Sequence, residues 1–336
     1  MEQREILTIR NMSKIFPIQR GFFKKVVGHV HAVNNVDLTV YAGETLGLVG
    51  ESGCGKTTLG KCLLNLLPVT RGEVRLHSST GATYAVEALK RTDMKAYRKA
   101  IQFLFQDPYS SLNPRMTVYD ILHEPIVLLG SEEEKKNAHE IIERVFVQVG
   151  LKRELLSRYP HSFSGGQRQR ISMARSLVLR PEIVVADEPV SALDVSIQAQ
   201  ILNLFKELQA NFGLTYIFIS HDLAVIRYVC DRIAVMYLGS IVEIGETEAV
   251  LATPAHPYTQ LLINSIPKGD GTLLTAHLAE GEVPDPINLP SGCPFHTRCP
   301  YCSERCRLEE PTLCETADGR QVKCHHALVE MKEETS

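Results

Sequence analysis

The stretch that most constrains this chain is Gly50-Glu51-Ser52-Gly53-Cys54-Gly55-Lys56-Thr57-Thr58. An apolar run, Thr45-Leu46-Gly47-Leu48-Val49, precedes it and predicts a buried strand. Residues 59–67 follow, with Leu59, Cys62, Leu63 and Leu66 at helical spacing. Strand, G-x-x-x-x-G-K-[ST], helix is the full context of a phosphate-binding loop. Its glycines let backbone N–H groups turn inward around an anion, and the helix N-terminus adds partial positive charge. Lys56 is spaced to reach the β- and γ-phosphates, and the Thr57 hydroxyl to ligate Mg²⁺. A glycine-rich turn with a chance lysine would not need both flanking elements. The pattern implies a nucleoside triphosphate site.

Bulk properties narrow the setting. With 336 residues, 44% apolar and 22% charged, the chain has room for a sizeable core. A net charge of −3 gives no basic field, so nucleic acid is not an expected partner. No run approaches the roughly 18 consecutive apolar residues of a membrane span. The start, Met1-Glu2-Gln3-Arg4-Glu5, lacks the apolar core of a secretion signal. The expected location is the cytosol, or the cytosolic face of a membrane through partners. Of nine cysteines, Cys54, Cys62 and Cys230 are scattered and six fall between Cys293 and Cys324. In a cytosolic chain such a cluster points to metal before disulfides.

In chain order, residues 5–16 predict a strand ending near Phe16-Pro17, and residues 18–31 an exposed hairpin with a basic tip. A second strand is predicted over 36–40. Further apolar runs predict strands at 72–76, 101–105, 183–188 (four apolar residues closed by two acids) and 215–219, the last three separated by helices. One helix is expected to open at Ser131 and carry the stripe Ile141, Ile142, Val145, Phe146 and Val149 to Gly150. Strands alternating with helices predict an α/β fold with a mostly parallel sheet and ligand chemistry at the strands' carboxyl ends. Gln106, Asp187 and His221 each fall just past such an end. Residues 234–238 and 241–244 read as a hairpin about Gly239-Ser240, residues 267–292 as a Gly-, Pro- and Thr-rich linker, and the cysteine-rich tail follows.

Asp187 closes an apolar strand, where phosphate-loop proteins hold Mg²⁺, and Glu188 beside it can polarise a water. Ser164-Gly165-Gly166-Gln167 is a second glycine-rich turn opening a helix, and a second anion site. One triphosphate cannot lie in two such loops of one fold unless a second subunit supplies one. At this point residues 5–262 resemble the ATP-binding cassette family, motif by motif. Gly50 to Thr58 resembles the Walker A loop, Gln106 the Q-loop, and Phe163 to Gln167 the signature, with Phe163 in place of the usual leucine. Ile183 to Glu188 resembles Walker B, Ser191-Ala192-Leu193-Asp194 the D-loop, His221 the switch histidine and Phe16 the adenine-stacking aromatic.

The resemblance implies a P-loop cassette over 1–266, with a RecA-like core, an antiparallel β subdomain and a helical subdomain at about 93–176. It implies a head-to-tail dimer with each ATP between one subunit's loop (Gly50, Ser52, Gly53, Cys54, Gly55, Lys56, Thr57, Thr58) and its partner's signature. Glu188 would orient or deprotonate the attacking water, His221 contact the γ-phosphate, Gln106 touch Mg²⁺, and Asp194 meet the partner. A narrower likeness, in residues 106–114 and 190–200, is to the ATPases of oligopeptide and dipeptide importers, of the F-type in a D/F pair. The tail (267–336, linker included) is similar to that subfamily's C-terminal domain, implying Cys293, Cys299, Cys306 and Cys324 as ligands of a [4Fe–4S] cluster. The added Cys302 and Cys314 depart from the pattern, and Cys299-Pro300-Tyr301-Cys302 alone suits zinc as well. Implied partners are a D-type ATPase, two transmembrane permease subunits and an extracytoplasmic peptide-binding protein. A nickel importer is the alternative cargo. Soluble cassettes of translation or DNA repair carry two cassettes or long coiled-coil insertions, which this chain lacks. A degenerate regulator would have lost one of Lys56, Asp187, Glu188 or His221.

Overall fold

A computed structural model describes residues 3–21, 24–265 and 283–332. Within the expected hairpin over 18–31, Phe22 and Phe23 lie outside the described residues, as does the expected linker up to residue 282. In chain order the elements are β1 (Glu5–Arg20), β2 (Lys25–Tyr41), β3 (Thr45–Val49), α1 (Lys56–Leu63), β4 (Arg71–His77), β5 (Thr83–Ala85), α2 (Met94–Ala100), β6 (Ile101–Leu104), α3 (Pro108–Ser111), α4 (Val118–Leu129), α5 (Glu132–Lys136), α6 (Ala138–Gln148) and α7 (Gly165–Leu177). There follow β7 (Ile183–Asp187), α8 (Val195–Phe212), β8 (Thr215–Ile219), α9 (Leu223–Val229), β9 (Arg232–Tyr237), β10 (Ser240–Glu246), α10 (Thr247–Ala252), α11 (Pro257–Asn264), α12 (Glu304–Leu308), β11 (Cys314–Glu315) and β12 (Gln321–Val322). They group into two units: Met1–Thr8, Thr39–Thr45 and Arg75–Ser220, and Ile9–Leu38, Leu46–Val74 and His221–Ser336.

In the first unit β6, β7 and β8 run parallel, with Leu104 opposite Ala186 and Asp187 opposite Ile219. Every residue of β7 and β8 is buried. Such two-sided burial is why these strands read as unbroken apolar runs rather than alternating ones. The helices α4, α6 and α7 pack together. Both α4 and α5 open with a reciprocal capping box, Thr117 with Asp120 and Ser131 with Glu134. The single helix expected from Ser131 is in fact two. Asn137 ends α5, which buries nothing, and the apolar stripe belongs to α6 through Ile142, Val145 and Phe146. Without apolar residues in its first five positions, nothing holds α5 in line with α6.

In the second unit β1 neighbours β2 in a long hairpin. β1 does not stop at Phe16-Pro17 but continues to Arg20. With 16 residues it outruns the 7-residue β4, so its far half needs hydrogen bonds on one side only, where proline is tolerated. β3 runs parallel to β9, and β9 turns antiparallel into β10 at Gly239. A side chain at Gly47 in β3 would stand 2.9 Å from the Cys230 thiol. The tail joins this unit by main-chain pairing, as β12 adds to the edge of β10 with Val322 opposite Glu243. There Glu243 (0% exposed) meets Arg320 at 3.2 Å and accepts from the N–H groups of Ala255 and His256. Burial pushes the Glu243 carboxyl up, while Thr259, those N–H groups and Arg320 pull it down. Among the described residues no helix is long and apolar enough to cross a membrane.

Candidate active site

In the second unit the loop after β3 opens directly into α1. Gly50 and Gly55 both have left-handed φ values, 152° and 107°, and a Cβ at either would strike a main-chain carbonyl, of Met236 and of Ala32 respectively. No side chain caps α1; the N-cap is Gly55 itself. Lys56 (6% exposed) folds back over the loop, its Nζ donating to the carbonyls of Gly50 (2.7 Å) and Glu51 (2.9 Å). Its ammonium also lies 3.6 Å from the Cys54 thiol, whose pKa burial still raises against the lysine's pull. Ser52 and Gly53 are exposed and Thr57 and Thr58 half-buried, in the first turn of α1. The loop therefore gathers a lysine and a bare helix N-terminus, the two devices that hold a polyphosphate.

Three contacts of high sequence separation brace it. Glu51 N–H donates to the Tyr258 hydroxyl (2.9 Å), Gly239 N–H to the Cys54 carbonyl (2.9 Å), and Arg298 forks onto the Glu51 carboxylate at 2.9 and 3.0 Å. Tyr237, Tyr258 and Phe295, each buried, pack as an aromatic cluster beneath. His256 caps α11, its Nδ1 accepting from Tyr258 N–H, and full burial drives its pKa down to about 3, so it is neutral. Phe16 is half-buried with the Lys14 ammonium 4.8 Å from its ring centre. His221 is exposed, and Asp222 beside it caps α9 through Ala224 and Val225 N–H.

The first unit, taken by itself, carries acidic groups at strand ends. Because Leu104 pairs with Ala186, the residues two places on, Gln106 and Glu188, emerge side by side from the carboxyl ends of β6 and β7. Gln106 Nε2 donates to Glu188 Oε2 at 2.7 Å. Asp187 is 4% exposed at the last position of β7. Glu188 has φ 46°, a left-handed conformation that costs a non-glycine residue about 1 kcal/mol or more. Its N–H donates to the Ile219 carbonyl (2.9 Å) and its carbonyl accepts from the Ser191 hydroxyl (3.0 Å). Gln198 ties the next turn by donating to the carbonyls of Val190 and Leu193. Asp194 stands exposed at the N-cap of α8 with its side chain making no cap bond.

The second glycine-rich turn, also in the first unit, is built differently. Ser164 accepts from Gln167 N–H, and Gln167 Oε1 accepts from Ser164 N–H, so α7 is capped by its own first turn. Gly165 approaches Leu193, and a Cβ at Gly166 would lie 2.6 Å from Ile197 Cγ2. Arg168 reaches back to the Pro160 carbonyl (2.8 Å) and lies 3.9 Å over the Tyr109 ring, joining this turn to the segment after Gln106.

Comparison with known proteins places the whole chain in a family. Residues 33–191 match the family model described as ABC transporter, and residues 242–306 the one described as oligopeptide/dipeptide transporter, C-terminal region. The chain is 46% identical over 326 residues to the oligopeptide transport ATP-binding protein AppF of Bacillus subtilis, covering 96% of this chain and 98% of that protein. It is 45% identical to the di/tripeptide transport ATP-binding protein DppF of Pseudomonas aeruginosa, with the same coverage. The chain belongs to the ATP-binding proteins of peptide ABC transporters. Its fold also resembles a solved dimeric ATP-binding cassette in a post-hydrolysis state with ADP and phosphate bound. That likeness has a TM-score of 0.59 at 27% identity over 72% of this chain and 99% of that one.

The tail of this ABC ATPase gathers its thiols. Cys293 N–H donates to the Cys306 carbonyl (2.8 Å), and neighbouring cysteines add to burial in disfavouring the thiolates of Cys293, Cys299 and Cys324. Burial first, and these neighbours second, raise Cys299 to about 11 and Cys324 to about 12. Cys324 Sγ accepts from His326 N–H and Cys306 Sγ lies 3.4 Å from the Ser303 hydroxyl. Cys302 is half-buried near the set, whereas Cys314 is exposed in β11. Among the described residues, no three His, Cys, Asp or Glu side chains converge as ligands of an ion. Sequence reasoning singles out the loop residues and the acids but not the brace of Tyr258 and Arg298, for which no local pattern exists.

Proposed function

We propose that this ABC ATPase binds ATP and Mg²⁺ in a head-to-tail dimer and hydrolyses ATP to drive uptake of di- or oligopeptides through two transmembrane permease subunits. The oligopeptide and di/tripeptide relatives favour peptides over nickel as cargo. A D-type ATPase would be its dimer partner, and a peptide-binding protein would deliver cargo from outside the membrane. It would work as a peripheral subunit on the cytoplasmic face, with the cassette over 1–266 and the cysteine-rich region over 267–336. Lys56 would hold the β- and γ-phosphates, Phe16 the adenine, and the partner's counterparts of Ser164, Gly165, Gly166 and Gln167 the γ-phosphate from the opposite side. Thr57, Gln106 and Asp187 offer the hard oxygen donors that suit Mg²⁺, which would neutralise charge on the β- and γ-oxygens. Glu188 would align a water for in-line attack and accept its proton, as the bond from the γ-phosphorus to the bridging oxygen breaks to leave ADP and phosphate. His221 would touch the γ-phosphate and Asp194 the partner subunit.

The single observation that carries this reading is the Gln106 to Glu188 hydrogen bond beside the buried Asp187. It holds a carboxylate in one orientation at the end of a strand, as a general base requires. Glu188→Gln keeps the size and the hydrogen-bonding capacity but removes the base. We expect hydrolysis to fall by about 100-fold or more while ATP still binds. Brisk turnover in that variant would remove Glu188 from its role.

For the tail, we infer a [4Fe–4S] cluster rather than zinc, held by Cys293, Cys299, Cys306 and Cys324, on the likeness of the chain to the oligopeptide/dipeptide transporter C-terminal region. The cluster would serve as a structural cross-link for a segment with little core of its own. Iron, sulfide and zinc analysis after anaerobic purification decides it. About four irons and four sulfides per chain, lost in Cys293→Ser, is the expected result, and one zinc without iron refutes it.

A further inference from the structure

Glu51 occupies the first position after Gly50 in the phosphate-binding loop, where a carboxylate is an odd choice. Every backbone device there is arranged to attract anions, and an uncompensated anion among them would repel a polyphosphate. The carboxylate is compensated. Arg298, with its side chain 8% exposed, covers it by two parallel hydrogen bonds of 2.9 and 3.0 Å, the fork-to-fork geometry that fixes both partners' rotamers. Glu51 has no slack elsewhere. Its N–H goes to Tyr258, and its carbonyl accepts from Lys56 Nζ and from Cys54 N–H. Any shift of Glu51 therefore moves an oxygen on which the phosphate-seeking Lys56 rests.

Arg298 is itself tightly seated. It lies in the short turn between Cys293 and Cys299, its N–H donating to the Phe295 carbonyl (3.0 Å). Phe295 is buried against Tyr237 and Tyr258, at 5.2 and 5.5 Å between ring centres. The turn that separates two of the clustered thiols thus delivers the cation that neutralises the nucleotide loop.

We propose that Arg298 is a positioning residue for ATP, acting from the cysteine-rich tail by neutralising and orienting Glu51. The proposal rests on the reading of residues 50–58 as the ATP site. It predicts that Arg298 sets nucleotide affinity more than the chemical step, because it touches the loop and not the reacting phosphate.

The test uses the full chain, with fluorescent methylanthraniloyl-ATP for binding and steady-state hydrolysis for kcat and KM. Arg298→Ala should raise the Kd and KM about tenfold while kcat changes less than about threefold. Arg298→Lys, which cannot fork, should fall between. Glu51→Gln should bind within about threefold of wild type, since the stranded charge is absent. The deciding variant is the double Glu51→Ala/Arg298→Ala. If the unpaired Glu51 carboxylate is the damaging species, the double variant binds ATP better than Arg298→Ala alone. Equal losses of affinity in Arg298→Ala, Glu51→Ala and the double, tracking equal losses of melting temperature, would show a mere structural pin and overturn the proposal. Should Arg298→Ala fail to fold, Arg298→Lys against Arg298→Lys/Glu51→Gln makes the same comparison. Lys56→Ala guards the underlying reading: binding retained there refutes the ATP site itself, and binding lost there with Arg298→Ala unaffected refutes only Arg298.

Discussion

Two glycine-rich turns each open a helix, and they are stabilised in opposite ways. The turn before α1 has no side-chain cap, takes three left-handed glycines, and is braced by Tyr258, Gly239 and Arg298 from far along the chain. The turn before α7 is closed by its own Ser164 and Gln167 and leaves Ser164 exposed. A loop that must keep its N–H groups free for a ligand cannot spend them on a cap, so its rigidity has to come from outside. A loop that presents a finished surface can satisfy itself locally. The difference fits a division of labour in which the first turn encloses a phosphate chain and the second offers a face to a ligand held elsewhere.

Glycine substitutions test that contrast with the largest expected effect. At Gly55 an alanine must hold φ near 107° and place its Cβ against the Ala32 carbonyl, a backbone atom that cannot step aside. We expect Gly55→Ala to cost about 3 kcal/mol or more in denaturant unfolding and to abolish ATP binding. At Gly166 the obstacle is the Ile197 side chain, 2.6 Å away. Overpacking of about 1–2 kcal/mol there is partly offset by the roughly 1 kcal/mol that alanine gains over glycine in a helix. Equal costs at the two sites would erase the distinction drawn between the loops.

The unequal legibility of the two turns has the same origin. Ser164 at a turn opening a helix, and Gln106 and Glu188 just past the ends of apolar runs, are legible from spacing, while the capping box and the Gln106 to Glu188 hydrogen bond come from the structure. The brace of the first turn joins residues 207 and 247 positions apart, and no periodicity marks a tyrosine or an arginine that will meet a loop that distant. The buried Glu243–Arg320 pair is hidden for the same reason, since each residue in isolation reads as solvated surface. The break at Asn137 and the run of β1 past Pro17 escape for a different one. Both turn on packing rather than on local pattern: α5 has no apolar residue to bury, and β1 outruns its neighbour β4.

The brace beneath the first turn is expected to weaken in acid. His256 is ordinarily half-protonated near pH 6.5, and burial lowers its folded value to about 3. A depressed value means the unfolded chain binds the proton first, so stability is intact above pH 6.5 and drains away as pH falls toward 3. Between pH 6.5 and 5 the loss from this group is about 2 kcal/mol. His256→Asn keeps an acceptor for Tyr258 N–H without titrating. Its cavity cost is the same at both pH values, and Glu243, which faces the same backbone, is present in both proteins. Wild type should therefore lose about 2 kcal/mol more than the variant over that interval in urea unfolding. Parallel pH profiles would mean that His256 accepts its proton without unfolding the brace.

The smallest effect belongs to the self-closed turn. Ser164→Ala removes the acceptor for Gln167 N–H and should cost about 1 kcal/mol, the usual worth of an N-cap. Gln167→Ala breaks the reciprocal bond to Ser164 N–H and should cost a similar or smaller amount. Because the two bonds form one loop, the double variant should lose less than the sum of the singles. Neither should alter the affinity of the isolated chain for methylanthraniloyl-ATP, since α7 closes on its own residues. If Ser164→Ala instead weakened nucleotide binding as much as Arg298→Ala, the second turn would not be self-contained. The two turns would then be one coupled device, and local capping would be the wrong account of how α7 begins.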